Sequence, residues 1–311
     1  MTNEPVFLTI HCLVYNHEPF LRECLDGFVM QKTNFRFEAI VHDDASTDNS
    51  AKIIQEYAEK YPNIIKPILQ KENQWSKHAD LGLILKNATA KTTKYIATCE
   101  GDDYWTDPNK LQKQVDFLES HPDYVACGHD IKIKYEKKNV YIDDVIIKQA
   151  IENDTKTYYI DFTKEDYLKE SKWLLHTISV VRRNIKIPEK TFFDTELFYF
   201  LFTKGKIAIL KDKMGVYRKH SGGMTNRTIY QAIKREIIDF YSLYKRYKDK
   251  MIIYRLSCKE FVLLYDEYHN YGIKKAIKTL REYRHITDNY VFFRFLISFP
   301  KQLYKMKTNT L

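Results

Sequence analysis

Apolar positions between residues 6 and 135 fall into two alternating periods. Short apolar runs at 6–14, 37–42, 64–69 and 95–99 predict buried strands, and 124–135 predicts another. Between them the spacing is helical. Phe20, Leu21, Cys24, Leu25 and Phe28 mark a helix over 20–31, and further helices are expected over 50–60, 81–90 and 110–120. Ser46 or Asp48 stands where a cap for the helix at 50 is needed, and Pro62 ends that helix. Such alternation predicts an α/β fold, a mostly parallel sheet with helices on both faces. Ligands of these sheets bind at the carboxyl ends of the strands. Tyr15 follows the first strand, Asp43 and Asp44 end the second, and Glu100, Asp102 and Asp103 follow the fourth. The topology therefore brings these side chains to one mouth.

The pattern then changes. Residues 136–170 read as an irregular excursion. A strand is expected at 173–181, ahead of Arg182 and Arg183. A helix is expected at 192–202 with Asp194 near its start, and a short strand at 206–210. Residues 214–217 lead into an expected loop over 218–223. From 228 the spacing is helical, with breaks near Gly272 and Pro300. The expected division is a catalytic-type domain over 1–227, split near 125, followed by a helical appendage over 228–311.

Charge separates the same two parts. Residues 1–227 carry 33 basic and 33 acidic side chains, whereas 228–311 carry 17 basic and 8 acidic, which holds the whole net charge of +9. The last part also holds 17 aromatic residues. A basic, aromatic-rich segment suits an anionic membrane surface, and 291–299, flanked by Arg284, Lys301, Lys305 and Lys307, has the character of an interfacial helix. The alternatives are a packed appendage with solvated lysines, or a protein or nucleic-acid partner. No run of about 20 apolar residues is present, and residues 1–5 do not read as a leader. The five cysteines form no Cys-x-x-Cys pair, which argues against a zinc site or a disulfide framework. The expected location is cytoplasmic, or peripheral on the inner face of the plasma membrane.

Glu100, Asp102 and Asp103 place three carboxylates within four residues. A hard cation relieves their repulsion, and Mg²⁺ or Mn²⁺ typically takes one or two carboxylates plus substrate phosphates. The competing reading is a solvated acidic turn. Asp43, Asp44, Ser46 and Asp48 offer acceptors for a base N–H or ribose hydroxyls, or alternatively a helix cap. Gly101 permits close backbone approach to a ligand.

Taken in order, Tyr15-Asn16-x-Glu18, Asp43-Asp44-x-Ser46-x-Asp48, Glu100-Gly101-Asp102-Asp103-Tyr104-Trp105-x-Asp107-Pro108, Phe193-Asp194-x-x-Leu197, Gly205-Lys206-Ile207 and Tyr217-Arg218-x-His220 resemble an inverting family 2 glycosyltransferase with the GT-A fold, over roughly 5–225. Leu13 departs from that family's polar residue at its position. The resemblance implies a nucleotide-diphosphate sugar donor and a glycan or lipid-linked acceptor, as in surface-polysaccharide (capsule or O-antigen) synthesis, and a Mg²⁺ or Mn²⁺ cofactor. It implies that Tyr15 stacks on or flanks the base, while Asp44 hydrogen-bonds it with Asp43 and Ser46 in support. Glu100 and Asp103 would assist at the ribose or metal, and Asp102 and His220 would hold the metal. Arg218 would face the leaving diphosphate, and Asp194 would be the catalytic base, with Glu196 as a neighbouring alternative. Trp105 would stack on a sugar or lie in the core. A sugar-phosphate nucleotidyltransferase would want a Gly-rich loop near the first strand, and none is there. A nucleic-acid or anionic-surface binder would act through the basic tail and tolerate loss of Asp102. The favoured reading involves no nucleic acid and leaves room for self-association through the tail.

Overall fold

The structure, a computed structural model, describes residues 4–155, 157–168, 175–188, 194–223 and 229–286. The expected interfacial helix at 291–299, its lysines and Pro300 lie outside the described residues, as do 173–174 and 192–193. The chain divides into two compact units, 1–163 with 173–220, and 164–172 with 221–311.

The first unit opens with the anticipated alternation: β1 (Leu8–Val14), α1 (Glu18–Val29), β2 (Phe37–Asp43), α2 (Ser50–Lys60), β3 (Ile65–Leu69), α3 (Leu81–Ala88) and β4 (Tyr95–Thr98). β1 pairs in parallel with β2 and β4, and β2 with β3. Leu8, Ile10, Cys12 and Val14 of β1 are buried, and α1 turns Leu21, Cys24, Leu25 and Phe28 inward. This is the period-2 and period-3.6 patterning realised on a central strand and its covering helix.

Next come β5 (Tyr104–Trp105), α4 (Lys110–Ser120) and the long β6 (Tyr124–Tyr135). The stretch expected to be irregular contains β7 (Val140–Asp143), α5 (Val145–Asn153) and β8 (Tyr159–Phe162). The expected strand at 173–181 is replaced, in its described part, by a 3₁₀ turn at Thr177–Ser179. The strand lies later, as β9 (Val181–Arg183), so Arg182 and Arg183 are in it rather than after it. Helix α7 (Asp194–Phe202) follows. β10 (Lys206–Lys219) then runs through both the expected short strand and the start of the expected loop. Register shifts on either side of Lys213 absorb the polar Lys211-Asp212-Lys213, which reads as a break in sequence. The path through the sheet is β3-β2-β1-β4-β9-β6-β10-β5, with β7 on β6 and β8 on β10. β9 lies antiparallel to both β4 and β6 and joins the two halves.

The second unit contains α6 (Lys164–Leu168), α8 (Ile229–Tyr247), α9 (Lys250–Tyr271) and α10 (Ile273–Ile286). Ile237, Phe240, Leu256 and Leu263 are buried in it. Tyr167 packs 5.9 Å from Phe240, and Lys164 Nζ lies 2.9 Å from Asp249 Oδ2. Gly272 takes φ 79° between α9 and α10, a conformation that glycine adopts without strain. Among the described residues no helix is long and apolar enough to cross a membrane.

Candidate active site

The mouth is built on the end of β1. Asp44 N–H donates to Val14 O (2.9 Å) and Gly101 N–H donates to Leu13 O (2.9 Å). Ladder-like pairing thus continues past the strands and draws both acidic loops against the β1–α1 turn. Gly101 has no room for a Cβ. One would lie 2.8 Å from Val14 Cγ2 and 2.9 Å from His17 Nδ1. The close approach that the glycine serves is to β1 and α1 of its own fold.

Half of the mouth is a hydrogen-bonded lattice between two loops. Asp43 accepts from Ser46 N (3.1 Å) and Ser46 Oγ (2.5 Å), and Asn16 N donates to Ser46 Oγ (2.9 Å). Asn16 Oδ1 accepts from Thr47 N (2.7 Å). Asp48 accepts from Glu18 N and Ser50 N at 3.0 and 2.9 Å, joining the two loops, while the cap position itself is taken by Asn49. Asn16 and Ala45 hold φ 56° and 59°, left-handed values that a non-glycine residue keeps only where its surroundings fix it. Asp44 is buried, and its two oxygens accept from Gln74 N (2.7 Å) and Trp75 N (3.0 Å). Each oxygen keeps a second lone pair for a further donor. Tyr15 is 47% exposed at the rim, with its ring available for stacking.

In the other half, His220 Nε2 lies 3.0 Å from Asp102 Oδ2, and His17 Nε2 lies 3.8 Å from the same oxygen. Burial opposes the charge on Asp102, but the His220 hydrogen bond and the nearby His17 outweigh it and hold the carboxyl below its ordinary range. His17 is itself depressed, chiefly by burial. Glu100 is half-buried, accepts from Thr177 Oγ1 (2.9 Å), and is pushed up to about 7 by desolvation and then by the charges of Asp194 and Asp102. Asp194 opens α7 with Glu196 in the same first turn, and its charge is felt at Glu100.

Two expected roles change, those of Asp103 and Arg218, and Trp105 takes the second of its two expected places. Trp105 is 2% exposed, donates from Nε1 to Ile178 O (2.8 Å) and packs 4.9 Å from Phe28, so it is a core aromatic and does not stack on a sugar. Asp103 is buried and accepts from Arg218 N (2.7 Å). Burial and the neighbouring Asp102 raise its carboxyl well above the usual range, and it faces β10 instead of a cation. Arg218 is equally buried. Its guanidinium donates to Glu23, to Glu136 Oε1 (2.8 Å) and to Asp102 O (2.7 Å), and lies over the Tyr104 ring at 4.3 Å. With those donors spent, it positions the Asp102 backbone and is not turned outward to a diphosphate. Glu23, Glu136 and His17 were not picked out in the sequence. The argument that puts Tyr15 at the mouth applies two residues later to His17, but Glu23 and Glu136 carry no motif.

Among the described residues no group of three or more His, Cys, Asp or Glu side chains gathers as a metal cage. The Asp102–His220 pair fits the other arrangement, in which a hard cation takes few protein ligands and completes its shell with substrate phosphate and water.

Residues 9–183 match the family described as Glycosyl transferase family 2. The chain spans about 60% of the length of its mycobacterial relatives, uncharacterized proteins to which it is 34% identical over 233 residues, 70% of the chain. The minor teichoic acid biosynthesis protein GgaA of Bacillus subtilis is 23% identical over 309 residues, 89% of this chain and 64% of that protein. Two solved structures share the fold at 16% identity. Staphylococcus aureus TarS 1-349 in complex with UDP-GlcNAc has a TM-score of 0.59, covering 92% of this chain and 83% of that one. The Pyrobaculum calidifontis mannosyltransferase PcManGT with GDP-Man and Mn²⁺ has a TM-score of 0.52, covering 99% and 84%.

Proposed function

Because the chain belongs to glycosyl transferase family 2, we propose that it moves a sugar from a nucleoside-diphosphate donor to an acceptor hydroxyl, with inversion at the anomeric carbon. The observation that carries this reading is the Asp102–His220 pair at the mouth, beside Glu100, whose carboxyl feels the charge of Asp194. Tyr15 stacks on the nucleobase, and Asp44 accepts from it through the lone pairs left free by the 73–75 loop. The Asp43–Ser46 turn presents the ribose side.

Asp102 and His220 are the residues that would hold Mg²⁺ or Mn²⁺; when bound, the ion supplies charge stabilisation to the departing diphosphate. Arg218 and Asp103 fix the loop that carries Asp102. Asp194 takes the proton of the acceptor hydroxyl as its oxygen attacks the anomeric carbon. Glu100 is raised to about 7, so near neutrality it is only partly ionised beside Asp194, which leaves Asp194 as the base of this reading. One base suffices for inversion, with no carboxylate nucleophile.

The acceptor in this reading is a glycan or lipid-linked glycan of surface-polymer synthesis. The name of the GgaA relative and the net positive charge of 228–311, which would dock on an anionic membrane surface at the cytoplasmic face, support it. Incubating the purified chain with UDP-, GDP-, CDP- and dTDP-sugars and Mn²⁺, with and without lipid-linked glycan, tests the reading. Metal-dependent release of one nucleoside diphosphate is expected. No release with any donor, or release that persists in Asp194→Asn, would count against it.

A further inference from the structure

From the free edge of β7 we infer that this chain forms a two-fold dimer by antiparallel pairing of β7 with β7 of a second copy. β7 pairs with β6 through Lys132↔Asp143 to Tyr135↔Val140, and among the described residues no strand pairs with its other edge. Sheet edges in soluble proteins are ordinarily guarded by lysines, prolines or bulges. This one instead presents Val140 (47% exposed), Tyr141 (46%) and Ile142 (40%), and the helix that follows adds Val145 (62%) and Ile146. Such a run of exposed apolar residues on an unpaired edge calls for cover.

The charge pattern selects a second copy as the cover. The segment reads Lys137-Lys138-Asn139-Val140-Tyr141-Ile142-Asp143, basic at one end and acidic at the other. Lys137 and Lys138 are exposed in the hairpin turn, and among the described residues neither has an ion-pair partner; Asp143 stays partly exposed beside Lys213. An antiparallel copy with its two-fold axis at Tyr141 sets Val140 against Ile142 and Tyr141 against itself. It also brings the lysines of each turn to the Asp143 end of the other strand. The interface is isologous, so each favourable contact occurs twice. Pairing would also fix the hairpin whose Glu136 holds Arg218.

The test is sedimentation velocity of the whole chain over a micromolar concentration series, alongside oxidative cross-linking. A concentration-dependent dimer is expected. Val140→Lys/Ile142→Lys should sediment as a monomer, and Lys137→Glu/Lys138→Glu should weaken association at least about tenfold. Tyr141→Cys should cross-link to itself, since directly opposed Cβ atoms lie about 4.5–5.5 Å apart, whereas Tyr158→Cys should not. A wild-type chain that stays monomeric throughout would overturn the inference. So would a dimer that survives Val140→Lys/Ile142→Lys, or equal cross-linking from both cysteines. Circular dichroism of each variant separates lost pairing from lost fold.

Discussion

Replacing Gly101 with alanine tests whether the acidic loop is seated by packing against β1. The added Cβ meets Val14 Cγ2 at 2.8 Å, His17 Nδ1 at 2.9 Å and Leu21 Cδ1 at 3.2 Å. Val14 and Leu21 are at most 1% exposed, so neither has space into which to retreat. Overpacking of this kind costs about 1–3 kcal/mol. The lower entropy of the unfolded alanine chain returns about 0.4–1 kcal/mol, because φ at Gly101 is not left-handed. A net loss of about 1–2 kcal/mol corresponds to a fall in Tm of about 2–8 °C for a unit of this size. Differential scanning calorimetry reads that shift. A double-mutant cycle identifies its cause: Val14→Ala removes the closest atom, so the pair should show a coupling of about 0.5–3 kcal/mol toward relief. An unchanged or raised Tm in Gly101→Ala, or strict additivity with Val14→Ala, would refute the packing argument.

Three other outcomes follow from the same geometry. Lys110 is buried, with Nζ 2.7 Å from Gln114 Oε1 and 3.9 Å from the Trp105 ring centre, and burial lowers it from 10.5 to about 7. Between those values the unfolded chain holds the extra proton, so wild-type stability should rise from about pH 7 to about pH 9 relative to Lys110→Met, and parallel pH profiles would contradict this. Trp105→Phe leaves Ile178 O without its donor and should cost about 1–3 kcal/mol while KM for donor and acceptor stays unchanged; a raised KM would return Trp105 to the sugar site. Asp194→Asn should lower kcat about 10²–10⁴-fold with donor binding intact, measured by transfer rate and calorimetry side by side, and full turnover would move the base elsewhere.

Legibility from sequence followed the distance between interacting residues. β1 to β4 and the helices between them are each set by local period, and the acidic mouth follows from the strand ends alone. β10 was divided in the reading because its polar middle is tolerated only by register shifts against β6, which no local pattern records. Arg218 looked like a loop cation. Its burial depends on Glu23, Asp103 and Glu136, each 82 or more positions away. Trp105 followed the acidic motif closely enough to suggest a ligand, yet its N–H is claimed by Ile178, 73 residues on. The loop lattice of Asp43, Ser46 and Asn16 had its residue types marked, but not its partners, because cross-loop hydrogen bonds have no periodicity.

Whether Asp102 holds the metal against the donor's diphosphate is decided by calorimetric titration of the wild-type chain and of Asp102→Asn with the nucleoside diphosphate of the active donor, with and without Mn²⁺. Tight binding is expected only for wild type with Mn²⁺, with a loss of at least about tenfold, 1.4 kcal/mol, in the variant. Equal, metal-independent affinity in both proteins would contradict it.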